Sequence, residues 1–213
     1  MIAQLIDGPL WYLSAGIFVV GVVWRILSIL WRGVAADLSR SRGSGFVGAV
    51  KIQFSRFFPR RTIRQRGKLQ IVAGYLFHLG LFALLIFARP HIDFISERIT
   101  GFDWPAMPHW GFILSAELAF AGLILLWLRR LLNPVTRLLS TADDHIGAIL
   151  VFLVMLTGCL ALAQSFEPLR LLHLGLAELL LIYFPFSNLM HAFTFAISRG
   201  YTGAAMAHKG VGA

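Results

Sequence analysis

Cysteine is almost missing from this chain: Cys159 is the only one in 213 residues. An internal disulfide is therefore excluded. So is an iron–sulfur cluster held by this chain alone, because such a cluster usually takes about four thiolates. Any such cluster has to sit on a partner, and Cys159, inside an apolar run, reads as a small buried residue. Acids are scarce too, ten Asp and Glu against nineteen Lys and Arg. No Gly-rich phosphate loop, zinc-spaced ligand cluster or nucleophile–base pair occurs. Hydrolysis has no candidate residues, and no stand-alone substrate chemistry is expected.

Apolar residues, by contrast, make up 58% of the chain, and mean hydropathy is +0.75. That is too apolar for an ordinary soluble domain. A membrane span needs about 20 mostly apolar residues, and five stretches meet that: 9–31, 69–88, 110–128, 146–163 and 171–195. The expected fold is all-α, a bundle of five transmembrane helices forming a single membrane domain over 1–213. Nothing basic precedes the first run, and it is longer than a signal-peptide core, so it is expected to stay in the mature protein.

Charge orients the helices. Sixteen of the nineteen basic residues fall at or between span ends on one side, eleven of them from Arg25 to Lys68. Only Arg89, Arg98 and Arg170 fall on the other. The positive-inside rule then puts the N-terminus outside and the C-terminus in the cytoplasm. The net charge of +9 is a topology signal, and no nucleic-acid partner is expected.

The basic loop 32–68 is the one sizeable piece outside the spans. Its Ser/Gly-rich part, 39–48, reads as irregular. From Val50 to Phe58, basic and apolar residues alternate (Lys51, Phe54, Arg56, Phe57) until Pro59, the pattern of a short interfacial helix. That surface suits membrane lipid or a docked cytoplasmic subunit. On the outside, Pro90, Trp104, Pro105 and Pro108 make 89–109 an ordered cap.

Polar residues inside a membrane are costly, which makes them functional suspects. His78 lies in the cytoplasmic half of the second span, His173 near the outer start of the fifth, and His191 toward its cytoplasmic end. On one continuous helix, the 18 residues from His173 to His191 make five turns, about 27 Å along one face. Two haems stacked across a membrane need that arrangement, each with two axial imidazoles. His78 and His191 match in depth. Gly74, Gly80 and Gly175 stand near these histidines, where missing side chains would let a porphyrin approach the backbone. Interhelical hydrogen bonding is the competing role for any one of these histidines. His145, at the cytoplasmic start of the fourth span, reads as a surface residue, with a quinone or partner contact second.

Glu117 and Glu178 are the acids well inside spans, each about 10 Å deep. A carboxyl there is costly to ionise and can exchange protons with a quinone, or simply bond a helix neighbour. Arg89 and Arg170 flank the outer end, suited to haem propionates or to lipid headgroups.

The runs Leu76-Phe77-His78-Leu79-Gly80, Leu172-His173-Leu174 and Phe184-Pro185-Phe186-Ser187-Asn188-Leu189-Met190-His191 resemble the gamma subunit of respiratory nitrate reductase. They also resemble its kin, the cytochrome b subunits of heterodisulfide-reductase-like, sulfite-reductase-associated and hydrogenase-associated membrane complexes. The resemblance implies five helices with the N-terminus outside, in a bacterial or archaeal cytoplasmic membrane. It implies two b haems carrying electrons between quinone and a cytoplasmic iron–sulfur subunit. By the same resemblance His78 and His191 ligate the cytoplasmic haem, and His173 the outer one. One departure stands out: the nitrate reductase subunit has a second histidine ten residues after the first, where this chain has Ala88. The nearest substitute is His91, in an Ala-x-Pro-His pattern like that of relatives outside the nitrate reductase branch. A continuous helix would carry His91 about 20 Å past His78 but rotate it by about 220°, unless Pro90 ends the helix first. Two other classes stay open, a proton-relay transporter and a haem-free anchor for a soluble enzyme. Inverted repeats and broken helices, usual in transporters, are not visible in the sequence.

Overall fold

The computed structural model describes residues 2–33, 37–58, 61–164 and 166–211, and among them the regular structure is all helical, with no strand. Among these residues the main helices are α1 (Ile2–Arg32), α2 (Gly45–Ser55), α3 (Arg61–Arg66), α4 (Lys68–Phe87), α5 (Arg89–Ile95), α6 (His109–Leu132), α7 (Pro134–Leu139), α8 (Ala142–Gln164), α9 (Glu167–Tyr183) and α10 (His191–His208). Among the described residues α1, α4, α6, α8 and α9 with the turn that follows it to Phe186 are long and apolar enough to cross a membrane. Only 11–28% of the residues in their apolar windows are buried within the protein. Side chains such as Val20, Trp24, Leu79 and Leu179 therefore point outward, and water would not tolerate so large an apolar surface. The chain is a multi-pass membrane protein.

The helices fall into two compact units, Met1–Arg64 with Leu174–Ala213, and Gln65–His173. In the second unit α4 lies tight against α6. A Cβ on Gly80 would strike the Ser115 carbonyl and Ala119, and one on Gly122 would strike the backbone of Ala73 and Phe77. Gly80 therefore serves helix–helix contact and is not the porphyrin clearance that its nearness to His78 predicts. The glycine that does leave open space beside His78 is Gly74, whose Cβ would meet no described atom within 4 Å.

The same unit ends α4 in an orderly way. Ala88 is extended (φ −73°, ψ 130°), and Pro90, within the first turn of α5, has no N–H to give the Ile86 carbonyl. A bare carbonyl at a helix end inside a membrane is expensive. The Trp104 indole N–H fills the gap at 2.8 Å, and the Met107 N–H bonds the Phe87 carbonyl at 3.0 Å. The expected cap is thus a set of donors folded back over the helix end.

In the first unit the fifth span does not run on to residue 195. Helix α9 stops at Tyr183, followed by two short 3-10 turns, Phe184–Phe186 and Asn188–Met190, joined at an extended Ser187 (φ −111°, ψ 172°). Pro185 lacks the N–H that a continuing helix needs. The Ser187 hydroxyl donates to the Phe184 carbonyl (3.0 Å) and accepts from the Leu189 N–H (3.2 Å), which fixes the turn. Phe18 of α1 meets Phe184 and Phe193 edge-on at 5.3 and 5.8 Å and packs the break. The five-turn, one-face relation between His173 and His191 is accordingly replaced: His191 opens a separate helix, α10.

Helix α2 begins at Gly45, earlier than the 50–58 pattern predicts, because Ser44 caps it through the Val47 N–H. Pro59, expected to end it, lies outside the described residues. Its Gly48–Ile52 face is buried on α10, with Gly48 and Gly203 in direct backbone contact and Ile52 only 2% exposed. The Gln53 side-chain amide donates to the Ala196 carbonyl at 2.7 Å. One face of the interfacial helix is therefore committed to its own chain, while Phe46, Val47, Val50 and Phe54 remain exposed.

Candidate functional site

All four candidate histidines are held in one way. The Nδ1 atom of His78 is 2.7 Å from the Gly74 carbonyl, that of His91 is 2.9 Å from Leu84, that of His173 is 3.0 Å from Val154, and that of His191 is 2.8 Å from Asn188. A carbonyl only accepts, so the neutral ring carries its proton on Nδ1 and its lone pair on Nε2. Metal-binding histidines are commonly oriented by such a bond on the other ring nitrogen. His145 takes the opposite tautomer: its Nδ1 accepts from the Trp127 indole N–H at 3.1 Å, leaving the proton on Nε2.

The outer pair lies within one unit. His91 and His173 face each other with ring centroids 6.1 Å apart and planes 26° from parallel. A metal–imidazole bond is about 2 Å, so rings with centroids 6.1 Å apart leave space for one metal atom between them. The rotation of about 220° expected from a continuous helix is removed by the turn at Ala88, which starts α5 on a new axis and brings its first turn back to the Leu84 carbonyl.

His173 is held from α8. Val154 supplies the carbonyl, the Thr157 hydroxyl lies 3.4 Å from Nδ1, and Gly158 leaves the room in which the ring stands. A Cβ at Gly158 would come within 2.9 Å of the ring's Cε1 and 3.2 Å of Nδ1. Gly158→Val is therefore expected to push the imidazole off its anchor and cost the site its ligand. The check is the haem content of the variant against the unaltered chain, which should fall while the protein still folds; an unchanged content would show that the contact is not decisive. Nothing in the sequence marks Gly158, since a glycine in an apolar helix has many uses.

His78, in the second unit, is ringed by Phe77 (4.9 Å) and Phe82 (6.2 Å). His191, in the first, is exposed at the start of α10. The Phe-Pro-Phe-Ser-x-Leu-x-His run now has a mechanical reading: proline breaks the helix, serine ties the turn, and the Asn188 carbonyl orients the histidine. Among the described residues, no three His, Cys, Asp or Glu side chains gather as a metal centre. Paired imidazoles suit a metal whose remaining ligands come from a macrocycle.

The acids and arginines separate. Glu178 is 5% exposed, and its Oε2 has no hydrogen-bond partner among the described residues. Glu117 is exposed on α6. Arg89 is already paired with Asp93 at 2.6 Å and Asp103 at 3.4 Å, and Arg170 with Glu167 at 2.8 Å. A propionate would have to compete with these carboxylates.

A protein of Nitratidesulfovibrio vulgaris (Hildenborough) is 31% identical over 215 aligned residues, covering 98% of this chain and 95% of that one. The chain belongs to that protein's family. A more distant relative of this chain, 25% identical over 85% of this chain and 74% of its own length, is the Hdr-like menaquinol oxidoreductase cytochrome b-like subunit of Archaeoglobus fulgidus. No family model matches the chain, and no solved structure matches it.

Proposed function

We propose that this chain is the haem b subunit of a menaquinol-linked complex in a bacterial or archaeal cytoplasmic membrane, passing electrons between quinone and a cytoplasmic iron–sulfur partner. The observation that carries the reading is the His91–His173 pair, with its 6.1 Å centroid separation and the lone pair of each ring on Nε2. Support also comes from the name of the Archaeoglobus homologue, which favours the heterodisulfide-reductase-like kin over the nitrate reductase branch. Haem b, when bound, supplies one-electron carriage.

The rest is the work of the chain's own residues. His91 and His173 would hold one haem, the Leu84 and Val154 carbonyls keeping each Nδ1 protonated, and the family resemblance assigns His78 and His191 to a second. In its ionised form Glu178 would accept one proton from a quinol, one quinol O–H breaking as one carboxylic O–H forms. Its buried Oε2, without a hydrogen-bond partner among the described residues, supports that role over a bond to a helix neighbour, and exposed Glu117 ranks second. Arg89 and Arg170 would meet propionates only by exchanging their present acids. The partner must bring the thiolates, since Cys159 stands alone. N-terminus outside and C-terminus in the cytoplasm remain the orientation that charge favours.

Anaerobic titration of the purified chain with menaquinol tests the assignment. Reduction of a b-type haem band is the expected result. A haem-loaded chain that dithionite reduces and menaquinol does not would remove quinone from the reading. A chain that binds no haem would leave the anchor or transporter class.

A further inference from the structure

In the first unit, residues 37–43 fold back on the end of α10. The Arg42 N–H donates to the His208 carbonyl at 2.8 Å, and His208 Nε2 lies 2.9 Å from the Ser39 carbonyl. Between the two segments opens a cleft of about 810 Å³ lined by Asp37, Ser39, Arg40, Ser41, Arg42 and Lys209. Three cations and two hydroxyls face one acid. Hydrogen bonds from Ser39 hold Asp37 below the usual carboxylate range, so it stays ionised, and the lining carries a net +2. Guanidinium forks match phosphate oxygens, while the Ser41 hydroxyl already donates to the Gly43 carbonyl at 2.9 Å.

Two further observations name the source of the phosphate. Asp37 follows Arg32, the last residue of a membrane-spanning helix, by five residues, a reach of at most about 18 Å. The cleft is therefore tethered at the membrane surface, where lipid headgroups lie. Helix α2 begins three residues after Arg42, and its exposed Phe46, Val50 and Phe54 recur at four-residue steps, one stripe on the side away from buried Gly48 and Ile52. A basic cleft continuous in sequence with an apolar stripe fits an acidic headgroup joined to acyl chains better than a free anion.

We propose that this cleft is a specific site for an anionic phospholipid, its phosphate held by Arg40, Arg42 and Lys209 and its acyl chains lying along Phe46, Val50 and Phe54. The site is independent of haem and quinone. It goes beyond general positive-inside attraction, because it assigns binding to three of the basic residues.

Native mass spectrometry of the full chain in detergent tests it, with phosphatidylglycerol and phosphatidylcholine of matched acyl chains. The expected result is retained phosphatidylglycerol, lowered about tenfold or more in Arg40→Gln/Arg42→Gln/Lys209→Gln. It should be unchanged in Arg129→Gln/Arg137→Gln, which loses charge elsewhere. Phe46→Asn/Phe54→Asn should also weaken retention, separating a lipid from a bare anion. Equal retention of the two lipids, equal loss in both charge variants, or full displacement by inorganic phosphate would each overturn the proposal. A triple variant that has lost its haem or its melting transition is replaced by Arg40→Lys/Arg42→Lys, which should keep only part of the retention; retention equal to that of the unaltered chain would overturn the proposal.

Discussion

His91→Ala is expected to remove one haem of two and to abolish reduction of the chain by menaquinol. The ring meets His173 at 6.1 Å and is anchored to Leu84 by a bond unrelated to any metal, so its loss leaves α5 in place. The Trp104 and Met107 bonds to the end of α4 do not involve it. The measurement is haem per polypeptide together with the number of redox transitions. Two haems fall to one, and the surviving haem keeps the potential it has in the unaltered chain. His173→Ala should give the same single-haem protein, because an iron held by a single imidazole loses most of its affinity for the site. A His91→Ala variant that keeps both haems, unchanged in spectrum, would send the outer ligand elsewhere. Added free imidazole should restore part of the lost spectrum in His91→Gly, an outcome that general misfolding would not give.

Glu178→Gln is expected to slow menaquinol oxidation by about 100-fold while haem content and dithionite reduction stay unchanged. General acid–base groups contribute typically about 10²–10⁴-fold, and glutamine keeps the volume while losing the ability to take a proton. The thermal response separates a proton role from a structural one. A buried polar atom without a partner costs about 1–3 kcal/mol, so Glu178→Leu should leave the melting temperature unchanged or raise it, with the quinol reaction still slow. If Glu178 served helix packing, Leu would restore the rate and Gln would barely lower it. Glu117→Gln, on an exposed position, should leave the rate within about twofold.

Much of this was legible in the sequence, and each gap has a physical reason. The five spans follow from length and hydropathy, since burial in lipid demands a long apolar run whatever the packing. Histidines inside such runs are conspicuous because they are costly there. The turn at Ala88 was only half legible: Pro90 announces an ended helix, but the direction of the next one depends on Trp104 and Met107 bonding back to Ile86 and Phe87. The break after Tyr183 was available in Pro185 and Ser187, and the apolar run through Phe195 hid it, because hydropathy does not register a missing N–H. Gly80, Gly74 and Gly158 look alike in sequence. Only the neighbours show that the first packs a helix, the second faces open space and the third makes room for His173. The contact of Gly48 with Gly203 joins residues far apart in the chain, beyond what local pattern can carry.

Haem held by paired histidines in the membrane is read from a reduced-minus-oxidised visible spectrum of the purified chain, with pyridine haemochrome quantitation against protein. The expected result is a bis-histidine b-type band and close to two haems per polypeptide. No such band in a folded chain, expressed with haem supplied, would contradict it.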